Sequence, residues 1–344
     1  MSLSSGVTSV AYGAQQLSML LPVTVAQRAL RRWSGRPAPT PTSNQVRVLH
    51  RRLRGLYERD LANAEAGLYP RRLLFSTPLI DYAKHFPELM LDLPRVLRRR
   101  RKEGWRELPD DASPRDYPPY FRRTFHWQTD GYLSRRSARL YDVGVEFLFA
   151  GTAAVMRRQV IPPVTRFLQA REGGTRGARL LDVACGTGRL LAQMAETHPD
   201  LKLYGLDLSP YYVQEARANL DAVADVSLVA ENAEAMPFAA GLFDMVTSVY
   251  LFHELPKNAR RRVFAEMLRV LRPGGLLVIE DSAQLAEADE IRFFLERFPE
   301  DFHEPFYRDY LKDDLAAALR ETGFVDVEVD PCFVAKVVTA RKPA

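Results

Sequence analysis

Two textures succeed one another along this chain. From about residue 179, short runs rich in Leu, Val and Ile (RLLDVA, LKLYGLDL, VSLVA, FDMVTSVY, LLVIED) alternate with stretches of helical spacing: Leu190 to His198, Tyr211 to Leu220 and Ala259 to Leu271. Continuous apolar runs separated by helices predict buried strands in a parallel sheet covered on both faces. A helix around Lys312–Thr322 follows, then VDVEV and FVAKVVTA, parted by Pro331, which predict a terminal antiparallel hairpin. Upstream of Gly173-Gly174 the pattern is mainly helical. Residues 44–103 have helical character, with Pro70, Pro78, Pro87 and Pro94 expected to limit helix length. Residues 104–120 form a Pro- and Asp-rich passage, and helical spacing returns from Ser134 to Leu168 through Leu140, Val143, Phe147 and Leu148. Residues 34–43, SGRPAPTPTS, hold three prolines and no large apolar side chain, the composition of a linker. The expected organisation is an arm and linker over 1–43, a helical extension over 44–172 and an α/β domain over 173–344.

Charge sharpens that division. The net charge of +5 conceals 30 Lys and Arg against 15 Asp and Glu in residues 1–178, and 18 against 28 in residues 179–344. Basic clusters at Arg51-Arg52-Leu53-Arg54, Arg71-Arg72 and Arg98 to Lys102 suit anionic lipid, nucleic acid or an acidic substrate, or else a solvated helical face docking on the acidic half. Two cysteines cannot form a disulfide framework, and no C-x-x-C or His-rich spacing suggests a metal. The best N-terminal apolar run, Leu17 to Ala26, is interrupted by Pro22 and lacks the length of a membrane span and the basic start of a signal peptide. A cytoplasmic protein, peripheral to a membrane at most, is the expectation.

The candidate chemistry lies where the first strand runs into a helix, LLDVACGTG. Gly186 and Gly188 permit a tight turn and close approach of backbone to ligand. A third glycine for a nicotinamide fingerprint would fall at 191, which is leucine, and Asp182 just upstream suits an ammonium group better than a pyrophosphate. Asp207, about twenty residues on, can accept both hydroxyls of a ribose, and the Asn232-Ala233 pair after the third strand can meet an adenine edge. An adenosine-bearing ligand with a cationic amino-acid end is S-adenosylmethionine.

LLDVACGTG, GLDLSP, ENAEAMPF, FDMVTSVYLFHEL and EMLRVLRPGGLLVIED resemble, in order and spacing, the motifs of class I S-adenosylmethionine-dependent methyltransferases, with the flavour of the ubiquinone and menaquinone C-methyltransferase branch. The resemblance covers about residues 178–342. It implies a Rossmann-like sheet and S-adenosylmethionine as cofactor, with S-adenosylhomocysteine as product and no metal. It further implies that Asp182 and the loop Ala184, Cys185, Gly186, Gly188 hold the methionine end, that Asp207 binds ribose, and that Leu208, Asn232 and Ala233 flank the adenine. Tyr250, and Tyr141 from the preceding helix, complete the expected cofactor site. Cys185 is expected to be packing rather than a nucleophile, and Asp244 and the RPGG turn at 272–275 to be architecture.

Where the acceptor carries a proton to be removed, the candidate bases are His253 and Glu254 after the fourth strand and His126 upstream. TFHWQTDGYLS, residues 124–134, is the candidate acceptor wall through Phe125, Trp127, Asp130 and Tyr132. The competing reading is an ordered connector in which Trp127 packs and Asp130 caps the next helix. The expected acceptor is small and lipophilic (quinone-, fatty-acid- or polyketide-like), with C-methylation favoured over O-methylation. The alternatives are a nucleic-acid methyltransferase using the basic half, and a non-catalytic cofactor-binding scaffold at a membrane.

Overall fold

A computed structural model describes residues 10–17, 39–76, 79–108, 117–128, 130–221 and 226–344, and at 79–81 and 127 the backbone alone. Residues 18–26 of the N-terminal apolar run, residues 34–38 of the proline linker and residues 109–116 lie outside the described residues.

Seven strands form one sheet in the order β3-β2-β1-β4-β5-β7-β6. They are β1 Arg179–Val183, β2 Lys202–Asp207, β3 Val226–Ala230, β4 Phe243–Val249, β5 Leu271–Ser282, β6 Val325–Cys332 and β7 Ala335–Arg341. β1 to β5 are parallel, while β7 runs antiparallel to both β5 and β6. The terminal hairpin expected from the sequence is present. Pro331 lies within β6 instead of separating two strands, which the edge position tolerates because one side of the strand needs no ladder donor. RPGG likewise belongs to β5, where the pairing with β4 shifts register between Phe243 and Met245 and Gly274 adopts φ 69°.

The helices used below are α1 Ser43–Glu65, α2 Leu79–Lys102, α3 Arg135–Leu148, α4 Ala153–Arg158, α5 Ile161–Ala170, α6 Arg189–Thr197, α7 Pro210–Leu220, α8 Lys257–Val270, α9 Leu285–Ala288, α10 Arg292–Asp301, α11 Tyr307–Tyr310 and α12 Leu315–Thr322. Alternation along the strands builds two cores. Leu180, Leu276 and Val278 face α5 and α6, whereas Leu181, Leu277 and Ile279 face α8 and α12.

The expected proline breaks fail in α2, which runs through both Pro87 and Pro94. Each proline removes one N–H and crowds one carbonyl, a cost that a 24-residue helix packed along α3 can absorb. The N-terminal helices do not form a body apart: Leu56, Leu73 and Leu74 share a buried cluster with Leu180 and Val278. Thr42, the last residue before α1, closes a capping box with Gln45. Within the layer lies a fully buried ion pair, Arg158 to Asp60 at 2.6 Å, to which Tyr12, Tyr69 and Gln159 also donate.

Several of the basic residues pair with acidic ones far along the chain. Arg51 and Arg52 pair with Glu290, Arg59 with Asp330, Arg72 with Glu196 and Arg100 with Asp301. The charge division of the sequence is therefore used, at least in these arginines, to dock one half on the other.

Candidate active site

The loop after β1 is shaped by three left-handed residues, Ala184 (φ 58°), Gly186 (φ 54°) and Gly188 (φ 80°). Gly188 is also the N-cap of α6, and a Cβ there would stand 2.8 Å from Leu220 Cδ1, so this glycine serves helix packing as well as the turn. Asp207 ties the loop to the end of β2: Oδ2 accepts from the Gly186 N–H and Oδ1 from the Ser209 N–H, both at 2.9 Å. Asp142 of α3 fastens the other side, accepting from Thr187 Oγ1 at 2.7 Å and Arg189 Nε at 2.6 Å. Asp142 follows Tyr141 in the Tyr-Asp pair that the resemblance implies beside the cofactor.

Asp182 is buried behind the loop and accepts from Thr247 Oγ1 at 2.8 Å. Burial pushes its carboxyl up to about 7, against the hydroxyl bond and the nearby Arg157. Burial likewise raises Asp207 to about 6, opposed by its two backbone donors. A ligand ammonium at Asp182 would supply the missing positive charge, which is the chemistry expected at the amino-acid end of S-adenosylmethionine.

In front of the loop is a cleft. Ala184, Gly186, Asp207, Leu208, Asn232 and Ala233 line one side, matching the residues expected around the cofactor, and Tyr141 and Tyr250 line it too. Three expected residues do not line it: Asp182 is buried behind the loop, and two others turn away. The side chain of Cys185 is buried in the core beside Gly205, whose own Cβ would come within 2.9 Å of the sulfur, and Gly188 packs on α7. Asn232 is oriented by its turn, Oδ1 accepting the Glu234 N–H at 2.9 Å.

The opposite side is aromatic. Phe121, Phe125, Tyr132, Tyr141 and Tyr212 line it, with Tyr132 stacked on Phe125 at 5.5 Å and edge-on to Tyr212 at 5.4 Å. The Ser209 hydroxyl donates to the Tyr132 carbonyl at 2.6 Å and pins the segment to the start of α7. Phe125 and Tyr132 of the expected wall thus reach the cleft. Asp130 does not: it accepts from Ser134 Oγ at 2.9 Å, and Ser134 itself caps α3. Trp127 closes the one-turn helix Phe125–Trp127, and its side chain lies outside the described residues.

The candidate bases separate clearly. His253 is buried away from the cleft with Nδ1 2.7 Å from Asp281 Oδ1. Burial opposes its protonation, but Asp281 and the more distant Glu304 and Glu254 outweigh it and raise the ring to about 9. His126 lies just behind the cleft, Nε2 at 3.2 Å from Glu254 and Nδ1 at 2.9 Å from Glu304, and despite burial these two carboxylates raise it to about 10. Neither ring lines the cleft and each has a carboxylate partner that favours its protonated form, which counts against the expectation of His253 and His126 as bases. Glu254 alone of the three lines the cleft, with Oε1 accepting from the Tyr132 hydroxyl at 2.5 Å.

A model of the methyltransferase domain matches residues 180–275. The chain is 31% identical to the malonyl-[acyl-carrier protein] O-methyltransferase of Geobacter sulfurreducens over 51% of its own length and 66% of that protein. It is 33% identical to an O-methyltransferase of Aspergillus nomiae over 48% and 72% of the two lengths. It is 32% identical to the demethylmenaquinone methyltransferase of Geobacillus kaustophilus over 45% and 74%. These relatives, the strand order with its reversed β7, and the glycine loop facing an acid at the end of β2 lead to one family: the chain belongs to the class I S-adenosylmethionine-dependent methyltransferases.

Proposed function

We propose that the protein methylates a small, lipophilic acceptor bearing an acidic hydroxyl, a phenol or enol of quinol or polyketide type, with Glu254 receiving the proton. The observation that carries this reading is the make-up of the acceptor side of the cleft. Seven aromatic rings and Leu251, Leu255 and Val263 line the cleft with two carboxylates, Asp207 at the glycine loop and Glu254 beside Tyr132, and none of the described lining residues is Lys or Arg. Such a wall excludes water and holds a planar ring, while a carboxylate-bearing acceptor would meet like charge without a lining cation.

Bound S-adenosylmethionine supplies an electrophilic methyl group on a sulfonium. The chain's own part is to hold the amino-acid end at Asp182 and the 184–188 loop, the ribose at Asp207 and the adenine between Leu208 and Asn232. The aromatic wall would present the acceptor, and Glu254 would accept the hydroxyl proton as the electron pair of the oxygen or the adjacent ring carbon forms the bond to methyl, the methyl–sulfur bond breaking to leave S-adenosylhomocysteine; on carbon, loss of the ring C–H proton to solvent then restores the ring. The relatives include both O-methyltransferases and demethylmenaquinone methyltransferases, and we favour a ring carbon beside the hydroxyl on the likeness of the motifs to the quinone branch.

A membrane source for such an acceptor is supported by the exposed Val10 and Leu17 of residues 10–17, a segment whose Tyr12 packs on the exposed Phe75. No described helix is long and apolar enough to cross a membrane.

The test is incubation with methyl-labelled S-adenosylmethionine and, separately, a total lipid extract, a set of free fatty acids and total RNA. Label in a neutral quinol or phenol of the lipid fraction is expected. Label confined to RNA or to the fatty acids would overturn the proposal, and tight cofactor binding with no transfer to any of them would make the protein a scaffold.

A further inference from the structure

The segment between β5 and α12 carries none of the motifs that identify the family, yet it sends one carboxylate to the back of the cleft. Glu304, in the turn between α10 and α11, has a wholly buried side chain. Neither oxygen receives a hydrogen bond of good geometry; its charge is met by His126, with Nδ1 2.9 Å from Oε1. The second nitrogen of the same ring faces Glu254 at 3.2 Å, and Glu254 accepts from Tyr132 in the aromatic wall.

His126 is not free to choose another position. Its backbone stands at φ 53°, a left-handed conformation that a non-glycine residue adopts only under constraint, and its N–H donates to the His303 carbonyl at 3.3 Å. The ring and the main chain are thus both gripped by the 303–304 turn. The two ring nitrogens serve different carboxylates, an ion-pair chain from Glu304 through His126 to Glu254. The three side chains could also gather round a metal ion, their candidate donor atoms lying within 4.8 Å of one another, but that would require one nitrogen to leave its carboxylate.

We propose that Glu304 is a positioning residue for methyl transfer, holding Glu254 in place against the acceptor through the ring of His126. The proposal rests on Glu254 being the proton acceptor. With Glu304 present, the imidazolium is anchored at its rear and Glu254 meets a fixed donor. Without it, His126 can turn away from Glu254, and a misplacement of the order of 1 Å at a reacting group is enough to slow transfer roughly 100-fold. The other charged and titratable groups around the ring are His303, which burial, Arg123 and His126 push down to about 4, Arg123 itself, and His253, whose Nε2 is 4.0 Å from Glu254. His303, so depressed, is neutral at neutral pH and cannot replace the imidazolium.

The experiment uses the full chain with saturating S-adenosylmethionine and a short-chain prenyl-1,4-naphthoquinol as probe acceptor. Glu304→Gln should lower kcat about 10- to 100-fold while the KM for S-adenosylmethionine and the affinity for S-adenosylhomocysteine stay within about twofold. Placed on Glu254→Gln, the same change should lower kcat by less than about twofold, because residues acting as one unit are not additive. Equal losses in both backgrounds, no loss at all, or a parallel loss of cofactor affinity would overturn the proposal. Nitrogen-15 spectra of the His126 ring give a reading independent of any acceptor: both nitrogens protonated at pH 7 in the parent, and a lower titration midpoint in Glu304→Gln. If the naphthoquinol is not methylated by the parent protein, the functional reading fails at that acceptor while the spectra still judge the ion-pair chain; an unchanged midpoint sinks it. Should Glu304→Gln not fold, Glu304→Asp, which keeps the charge but shortens its reach, is held to the same spectra and kcat comparison. Stoichiometric binding of Mn²⁺ or Zn²⁺ that disappears with Glu304 would also overturn the proposal in favour of a metal centre.

Discussion

Between β1 and β5 the strands are clad by leucine, valine, isoleucine and phenylalanine, whereas the helices before Gly173 join the rest of the protein through an apolar seam and a set of arginines that find acids on the far side. The sheet half makes the cofactor loop from residues close in sequence. The helical half contributes Asp142 to that loop and Tyr132 and Tyr141 to the opposite wall, from a distance along the chain. One region is specified by its own periodicity, the other by what it docks on. Substitutions should therefore separate binding of the cofactor, stability of the helical layer and transfer of the methyl group.

The largest effect expected is at Glu254. Glu254→Gln should reduce kcat by about 10²- to 10⁴-fold, the range of a lost general base, without loss of S-adenosylhomocysteine affinity; steady-state kinetics beside calorimetric binding checks it, and a fall in affinity of the same size would place Glu254 in the cofactor site instead. Next comes the buried pair of the helical layer. Asp60→Ala leaves Arg158 uncompensated in the interior and should cost about 3–5 kcal/mol in denaturant unfolding. A loss below about 1 kcal/mol would mean that the helical layer is not held by this network.

Cofactor affinity should depend on pH through Asp182. Its folded value of about 7 lies above the ordinary aspartate value, so in the unliganded protein the group favours folding at acid pH, and that contribution is lost as pH rises through about 7. The ammonium of the cofactor prefers the ionised carboxylate, so binding expels a proton and affinity should fall by up to about tenfold for each pH unit below 7. Calorimetry at pH 6, 7 and 8 measures this, and Asp182→Asn should flatten the profile while weakening binding throughout. The smallest effect is expected at the docking arginines: Arg100→Ala breaks a half-exposed pair with Asp301 and should change stability by under about 1 kcal/mol. A larger loss would show that the charged seam, and not only the apolar one, holds the halves together.

The contrast also explains what was legible before the structure. The strand runs, the glycine loop and Asp207 declared themselves because each is a local device: a period of residues, a turn that needs glycine, an acid at the end of a strand. The helical half was harder to parse. Pro87 and Pro94 argued for breaks that packing against α3 overrides, and the Arg98–Lys102 run suited either an anionic ligand or docking on the acidic half, of which Arg100 takes the second by pairing with Asp301. His253, attractive by its place after β4, is turned inward onto Asp281, a neighbour 28 residues away that no spacing rule selects.

What the sequence determined by itself is the parallel sheet, its terminal antiparallel hairpin and the cofactor that its loop can hold, because hydrophobic period and turn chemistry act over a few residues. Only the tertiary structure decided which polar groups meet at the cleft. Whether His126 or His253 favours a proton depends on burial and on carboxylates brought from β5 and from the turn at Glu304, and electrostatic interactions follow distance in space, not separation along the chain.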